Sequence, residues 1–185
     1  MASLSSPRCN VGQDAVDFDL PATDGSRYDL ARCRGTNGVL VMFICNHCPY
    51  VKSIREQLAE TCKELESYGI GCVAINSNDP TDYPEDDFDH MKAYARAYGF
   101  GFPYLLDETQ AVARAYGAVC TPDFFGYNSD LKLQYRGRFD ASGRHVVLGA
   151  KRELFEAMKQ IAMLGDGPPV QTPSLGCAIK WREPS

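Results

Sequence analysis

The 185-residue sequence predicts an α/β fold: a mixed central sheet flanked by helices, an N-terminal β-hairpin, and an irregular C-terminal tail packing back on the domain. Three observations carry that expectation. Residues 38–44 form a continuous apolar run and residues 71–76 nearly so, the pattern of strands buried on both faces. Apolar residues between and beyond them recur every three or four positions, the period of amphipathic helices. A late pair of strand-like segments around Asn128-Ser129-Asp130 adds antiparallel strands to the parallel core.

Each element has its own signal. Residues 16–20 alternate apolar and polar, Asp24-Gly25 supplies a turn, and residues 27–30 return. After the first buried strand, Val51, Ile54, Leu58, Cys62 and Leu65 make one apolar stripe of a helix. Pro49 suits its first turn, where no intrahelical donor is lost, and Gly69 closes it. The strand at 71–76 leads through a polar loop into a second helix, marked by Phe88, Met91, Tyr94, Ala95 and Tyr98. Residues 103–106 are extended. Asp107 followed by Gln110 has the form of a capping box, opening a short helix that Gly117 ends. Strands at 123–127 and 131–137 pair next, and Leu154, Phe155, Met158, Ile161 and Ala162 line a last helix over 152–164. Pro168, Pro169, Pro173 and Pro184 disfavour regular structure in the tail, while Ile179 and Trp181 predict that it packs on the domain. The expected organisation is one domain over 11–164 and a tail extension over 165–185.

Charge and composition narrow the partners. A formal net charge of −5, with no basic cluster to offset it, argues against nucleic-acid and anionic-membrane partners. The first eight residues hold no apolar signal core, and the run at 39–45 is far shorter than the roughly 20 residues of a membrane span. The expected location is therefore cytoplasmic. There, most of the eight cysteines are expected as reduced small hydrophobes, Cys62 and Cys72 in the core among them.

One motif carries chemistry. Cys45-Asn46-His47-Cys48-Pro49 lies between a buried strand and a helix. Two thiols at this spacing close a disulfide, hold a metal, or divide attack and resolution between them. With Cys45 at the strand-to-helix junction, helix-end amides lower its pKa below the free value of about 8.5. Cys48, one turn in, is the more buried. That reading makes Cys45 the attacking thiol and Cys48 the resolving one, joined as a Cys45–Cys48 disulfide on oxidation, with His47 supporting the thiolate. A rise of about 60 mV over a potential of about −270 mV is roughly 2.8 kcal/mol, and a glutathione pool at about −220 to −320 mV still keeps such a pair mainly reduced.

Cys120-Thr121-Pro122 supplies a second piece, since an X-Pro bond entering a strand is a place for a cis peptide. Pro122 is expected to cover the cysteines, the Thr121 backbone to bind an extended substrate, and Cys120 to lie close to Cys45. Cys177 either packs the tail or acts as a further resolving or metal-binding thiol. Arg136 and Arg138 read as exposed strand charges. From another class, a metal- or cluster-binding module would use Cys45, His47 and Cys48 with Cys120 or Cys177, although no second CxxC exists. A binding domain without redox chemistry is a third reading.

Cys45-Asn-His-Cys-Pro-Tyr-Val-Lys52, Asn76-Ser-Asn-Asp79, Tyr83-Pro-Glu-Asp86, Thr121-Pro-Asp123, Tyr135-Arg-Gly-Arg138 and Gly176-Cys-Ala-Ile-Lys-Trp181 occur in that order. Together they resemble the thioredoxin-fold superfamily, and within it the peroxiredoxin-like group of the alkyl hydroperoxide reductase/thiol-specific antioxidant (redoxin) lineage. The resemblance implies a thioredoxin-like core, Cys45 and Cys48 as attacking and resolving cysteines, and Pro122 as the cis-proline. It implies an antioxidant thiol-disulfide oxidoreductase, with a peroxiredoxin-like thiol peroxidase as the alternative. The substrate is then a protein or small-molecule disulfide or peroxide, the reductant a cellular thiol, with no cofactor or metal expected. Val39 stands where thioredoxins carry a buried acid.

Overall fold

A strand with no wet face must lie inside a sheet, and the structure, a computed structural model describing residues 2–183, places the first apolar run there. In chain order the strands and helices are β1 (Ser3–Ser5), β2 (Asp19–Pro21), β3 (Arg27–Asp29), α1 (Leu30–Cys33), β4 (Gly38–Phe43), α2 (Pro49–Lys52), α3 (Arg55–Glu66) and β5 (Ile70–Asn76). They continue as α4 (Phe88–Ala97), β6 (Tyr104–Leu106), α5 (Ala111–Tyr116), β7 (Cys120–Thr121), β8 (Asp123–Asn128), β9 (Leu133–Tyr135), α6 (Glu153–Leu164) and β10 (Leu175–Ala178). The main sheet has the order β6-β5-β4-β8-β9. Its first three strands are parallel and the β8–β9 hairpin is antiparallel, so the sheet is mixed as expected.

Alternation along β4 feeds two cores. Val39, Val41 and Phe43 pack with Leu30, Ala113 and Tyr116, which places α1 and α5 on one face. Leu40 and Met42 pack with Leu58, Leu65, Met91, Leu154 and Met158, which places α3, α4 and α6 on the other. Each such side chain contributes about 1.5–3 kcal/mol by leaving water.

Three local expectations change. The helix expected after Pro49 is two helices, interrupted at Ser53 and Ile54, where the Ser53 hydroxyl donates to the Gly143 carbonyl at 2.7 Å and Ile54 is the N-cap of α3 at φ −114°. The capping box at α5 is not formed, because the helix starts later, with Gln110 as its N-cap in left-handed geometry (φ 64°). Asp107 accepts from the Ala113 N–H at 2.9 Å, but Gln110 turns away and donates to the Ser77 and Lys180 carbonyls. The tail, finally, is not irregular throughout: between Pro173 and Pro184 it forms β10. A proline-free window of that length is enough for a short strand.

Strand β10 is the middle of a second sheet, β1-β10-β7, antiparallel throughout. Its partners come from the chain's beginning and from the segment before Pro122. Beyond it, Ile179 is buried in the core, the Lys180 N–H donates to Asn78 Oδ1 at 2.9 Å, and the Arg114 guanidinium covers Trp181 at 4.3 Å. The tail therefore packs back on the domain. Among the described residues, no helix is long and apolar enough to cross a membrane.

Candidate active site

Helix α2 starts at Pro49, so its N-cap is Cys48, with extended backbone (φ −66°, ψ 124°), and not Cys45. Proline favours the first helical position, which fixes the start three residues later than the expected one. Cys45 lies in the loop between β4 and α2, wholly buried. The helix-start argument made for Cys45 therefore falls on Cys48, and the two sulfurs are equally buried. Cys48 Sγ lies 3.2 Å from the Thr121 carbonyl and 2.7 Å from Cys177 Sγ, while Cys45 Sγ lies 3.3 Å from Thr121 Oγ1. All eight cysteines are free thiols, so the expected Cys45–Cys48 disulfide is not formed here.

Electrostatics follow this placement. The Cys48 thiol is held well below its ordinary range, first by its hydrogen bond with Cys177, then by that with Cys45, with the Val51 backbone assisting. Burial pushes the Cys45 thiol up, with Cys48 and the Asp86 carboxylate adding to the effect. Cys177 is likewise raised, chiefly by its hydrogen bond with Cys48 and then by burial.

Asp86 holds the loop in place. This fully buried carboxylate accepts from the Asn46 N–H at 2.7 Å, the His47 N–H at 3.1 Å and Asn78 Nδ2 at 2.9 Å, and it pairs with His47 Nδ1. Tyr83 stacks on the imidazole at 4.2 Å between centroids, and His47 Nδ1 reaches Cys45 Sγ at 3.8 Å. His47 is therefore a buried member of a network that touches Cys45. Asp86 is not among the expected site residues; its one sequence signal is the segment Tyr83-Pro-Glu-Asp86, part of the family resemblance. The network also supplies a buried acid that position 39 lacks. Cys45, His47 and Asp86 bring donor atoms within 4.8 Å of one another, a different trio from the expected metal ligands, and the carboxylate already accepts four hydrogen bonds.

The Thr121-Pro122 peptide bond is cis, as expected. The other expectations there change. The Thr121 backbone is paired with Cys177 of β10 instead of standing free for a substrate. Cys120, the neighbouring residue on a strand, faces away from that group: its thiol contacts the Pro122 carbonyl at 3.7 Å, and burial raises its pKa strongly. Arg136 is no exposed charge. It is buried against Asp123, with Nη2 to Oδ2 at 3.0 Å and to the Gly117 carbonyl at 2.8 Å, and so braces the residue after Pro122. Arg138, partly exposed, pairs with Glu153 at 2.7 Å. A recess of about 350 Å³ opens beside the site between Tyr50, Ile54, Pro122, Phe139 and Leu175. A larger cavity of about 550 Å³ runs along α6 past Met163 and Val170 and has no cysteine in its walls.

Known proteins are similar to this chain to different depths. A Geobacillus kaustophilus protein of known crystal structure superposes with a TM-score of 0.93 at 40% identity, covering 100% of this chain and 99% of that one. A thiol:disulfide interchange protein of the thioredoxin family from Chlorobium tepidum superposes with a TM-score of 0.62 at 19% identity, covering 82% and 97%, which shows a thioredoxin-like fold. In sequence, the thiol-disulfide oxidoreductase ResA of Bacillus subtilis is 29% identical over 122 residues, 66% of this chain and 64% of ResA. The chain thus spans a little under two thirds of that relative's length. Residues 11–139 match the AhpC/TSA family, well over half of the sequence, and the chain belongs to that family.

Proposed function

We propose that this protein is a thiol-disulfide oxidoreductase in which Cys48 supplies the attacking thiolate. One observation carries the reading: Cys48 caps α2 beneath the cis Thr121-Pro122 segment, with the sulfur of a second thiol, Cys177, 2.7 Å away. A thiolate so placed attacks a disulfide sulfur, forms a mixed disulfide and leaves a second thiol to release the product. Family membership and the name of ResA support the same chemistry. His47 and Asp86 set the loop that carries both cysteines, and Thr121 touches both sulfurs. A cellular thiol would return the protein to its reduced form, and a reducing, cytoplasmic setting suits eight free thiols. The test is reduction of an aromatic disulfide by single variants. Cys48→Ser is expected to abolish it and Cys45→Ser to retain it; wild-type rates in Cys48→Ser would sink the assignment.

A second reading is a thiol peroxidase, and the enclosure of the site favours it. Cys45, Cys48 and Cys177 are each at most 3% exposed, which suits a peroxide better than a protein disulfide. Rapid mixing with hydrogen peroxide decides, since a Cys48 thiol consumed no faster than free cysteine excludes a peroxidase.

A further inference from the structure

Strand β10 occupies the place an extended substrate would need. Its Cys177 stands opposite Thr121 and its Ala178 opposite Cys120, in antiparallel register along the edge that leads into Pro122. Strand addition at a free edge is how an extended peptide is commonly held, by main-chain hydrogen bonds with side chains placed in alternation. Here the chain's own tail makes that addition and brings a cysteine to the reactive sulfur.

Several features show that the strand is built into this position. Its other edge is covered by β1, with Ser3 opposite Cys177 and Leu4 opposite Gly176. The Ile179 N–H donates to the Val119 carbonyl at 3.1 Å, and the Lys180 carbonyl accepts from the Asp79 N–H at 2.8 Å and from Gln110. Gly176 permits the close approach: a Cβ there would stand 2.0 Å from the Thr121 carbonyl oxygen. Any larger residue would push β10 off β7 and carry Cys177 away from Cys48.

We propose that Cys177 is the resolving thiol of Cys48, and that β10 holds it there as a tethered stand-in for a disulfide substrate. The inference rests on Cys48 being the attacking thiolate. Cys177 Sγ is 2.7 Å from Cys48 Sγ, so closing to a disulfide of about 2.05 Å asks for less than an ångström of movement. Cys45 also touches Cys48, but its sulfur is engaged in addition by Thr121 Oγ1 at 3.3 Å and His47 Nδ1 at 3.8 Å.

The chemistry balances with two thiols and one external disulfide, RSSR′. The Cys48 thiolate attacks one sulfur, forming Cys48–S–SR and expelling R′S⁻. Cys177 then attacks Cys48 Sγ: the new bond is Cys48–Cys177, the broken bond is Cys48–S–SR, and the Cys177 proton leaves with the thiols. Two electrons pass from the two cysteines to the substrate, which departs as one thiol carrying the Cys177 proton and one thiolate that equilibrates with water. A cellular thiol later reduces the internal disulfide. Because Cys177 rides on a strand anchored at both ends, the substrate must reach Cys48 from the recess beside Pro122 or shift β10 aside.

The test uses full-length reduced protein with Cys9, the one partly exposed cysteine, replaced by serine. The probe is an aromatic disulfide whose released thiolate is followed by absorbance. The parent protein is expected to release a first and a second equivalent and to yield a Cys48–Cys177 peptide on non-reducing mass mapping. Cys177→Ser is expected to keep a Cys48-dependent first release and accumulate the mixed disulfide. Its second release should fall by roughly tenfold or more, as when a positioned intramolecular group is lost. Gly176→Val should slow the second release too, with Cys177 still present. A Cys45–Cys48 peptide in the parent, or an undiminished second release in Cys177→Ser, overturns the inference. Release that persists in Cys48→Ser overturns instead the assignment of Cys48 as attacking thiolate.

Discussion

The five-stranded sheet and the three-stranded sheet are held together by different things. In the first, β4 is covered on both faces by two apolar cores, and its strands come from the middle of the chain. In the second, strands of two to four residues from the N-terminus, the tail and the segment before Pro122 meet over the thiols. The first sheet has its own hydrophobic reason to exist. The second exists only because the first has already brought its parts together. Stability should therefore concentrate in the large sheet and control of Cys48 in the small one.

That division is breakable, starting with the junction between the two sheets. Arg136→Ala leaves Asp123 buried without its cation and should cost about 3–5 kcal/mol in urea unfolding at neutral pH. Burial already raises the Asp123 carboxyl, and Arg136 opposes that rise. Without Arg136 the folded-state pKa climbs further above the unfolded value. The deficit should then shrink as pH falls and the native carboxyl takes up its proton. A loss that grows toward acid pH would contradict this account.

A cavity in the large sheet comes next. Leu40→Ala, at a fully buried position of β4, should cost about 3 kcal/mol while Cys48 still reacts with the aromatic disulfide. If the truncation silences Cys48 in folded protein, the two sheets are more tightly coupled than described. Ile179→Ala, just past β10, should cost only about 1 kcal/mol, because local detachment of the tail limits the loss. Faster alkylation of Cys48 should accompany it. A penalty equal to that of Leu40→Ala would place the tail within the core's cooperative unit.

The smallest effect is spectroscopic. Thiolate absorbance in the reduced protein should show a component already ionised at neutral pH and missing in Cys48→Ser. In Cys177→Ala that component should titrate nearer the free-thiol value of about 8.5, since the largest stabilising hydrogen bond is gone. An unmoved titration would show that the helix start and Cys45 suffice.

Much of the large sheet was legible because its signals are local. The run at 38–44, the stripe from Val51 to Leu65 and the turn at Asn128-Ser129-Asp130 each encode an element within their own residues. The site was legible in part. The residue types in Cys45-Asn-His-Cys48-Pro49 and Thr121-Pro122 announced a thiol centre with a proline above it. Their division of labour was not, because Pro49 moves the helix start and thereby makes Cys48 the cap. Asp86 stayed hidden since an acid in a polar loop reads as solvated until four donors are found around it. Arg136 reads as an exposed charge until Asp123 is seen beside it.

By itself, then, the sequence determined an α/β core and a thiol pair at its strand-to-helix turn, because hydrophobic period and proline placement act over a few residues. Only the tertiary structure decided which thiol is exposed to which partner. Cys48 and Cys177 are 129 residues apart in the chain, and no local pattern links them. Their meeting depends on the folded core, on a glycine that lets β10 approach Thr121, and on a strand from the other end of the chain that closes over it.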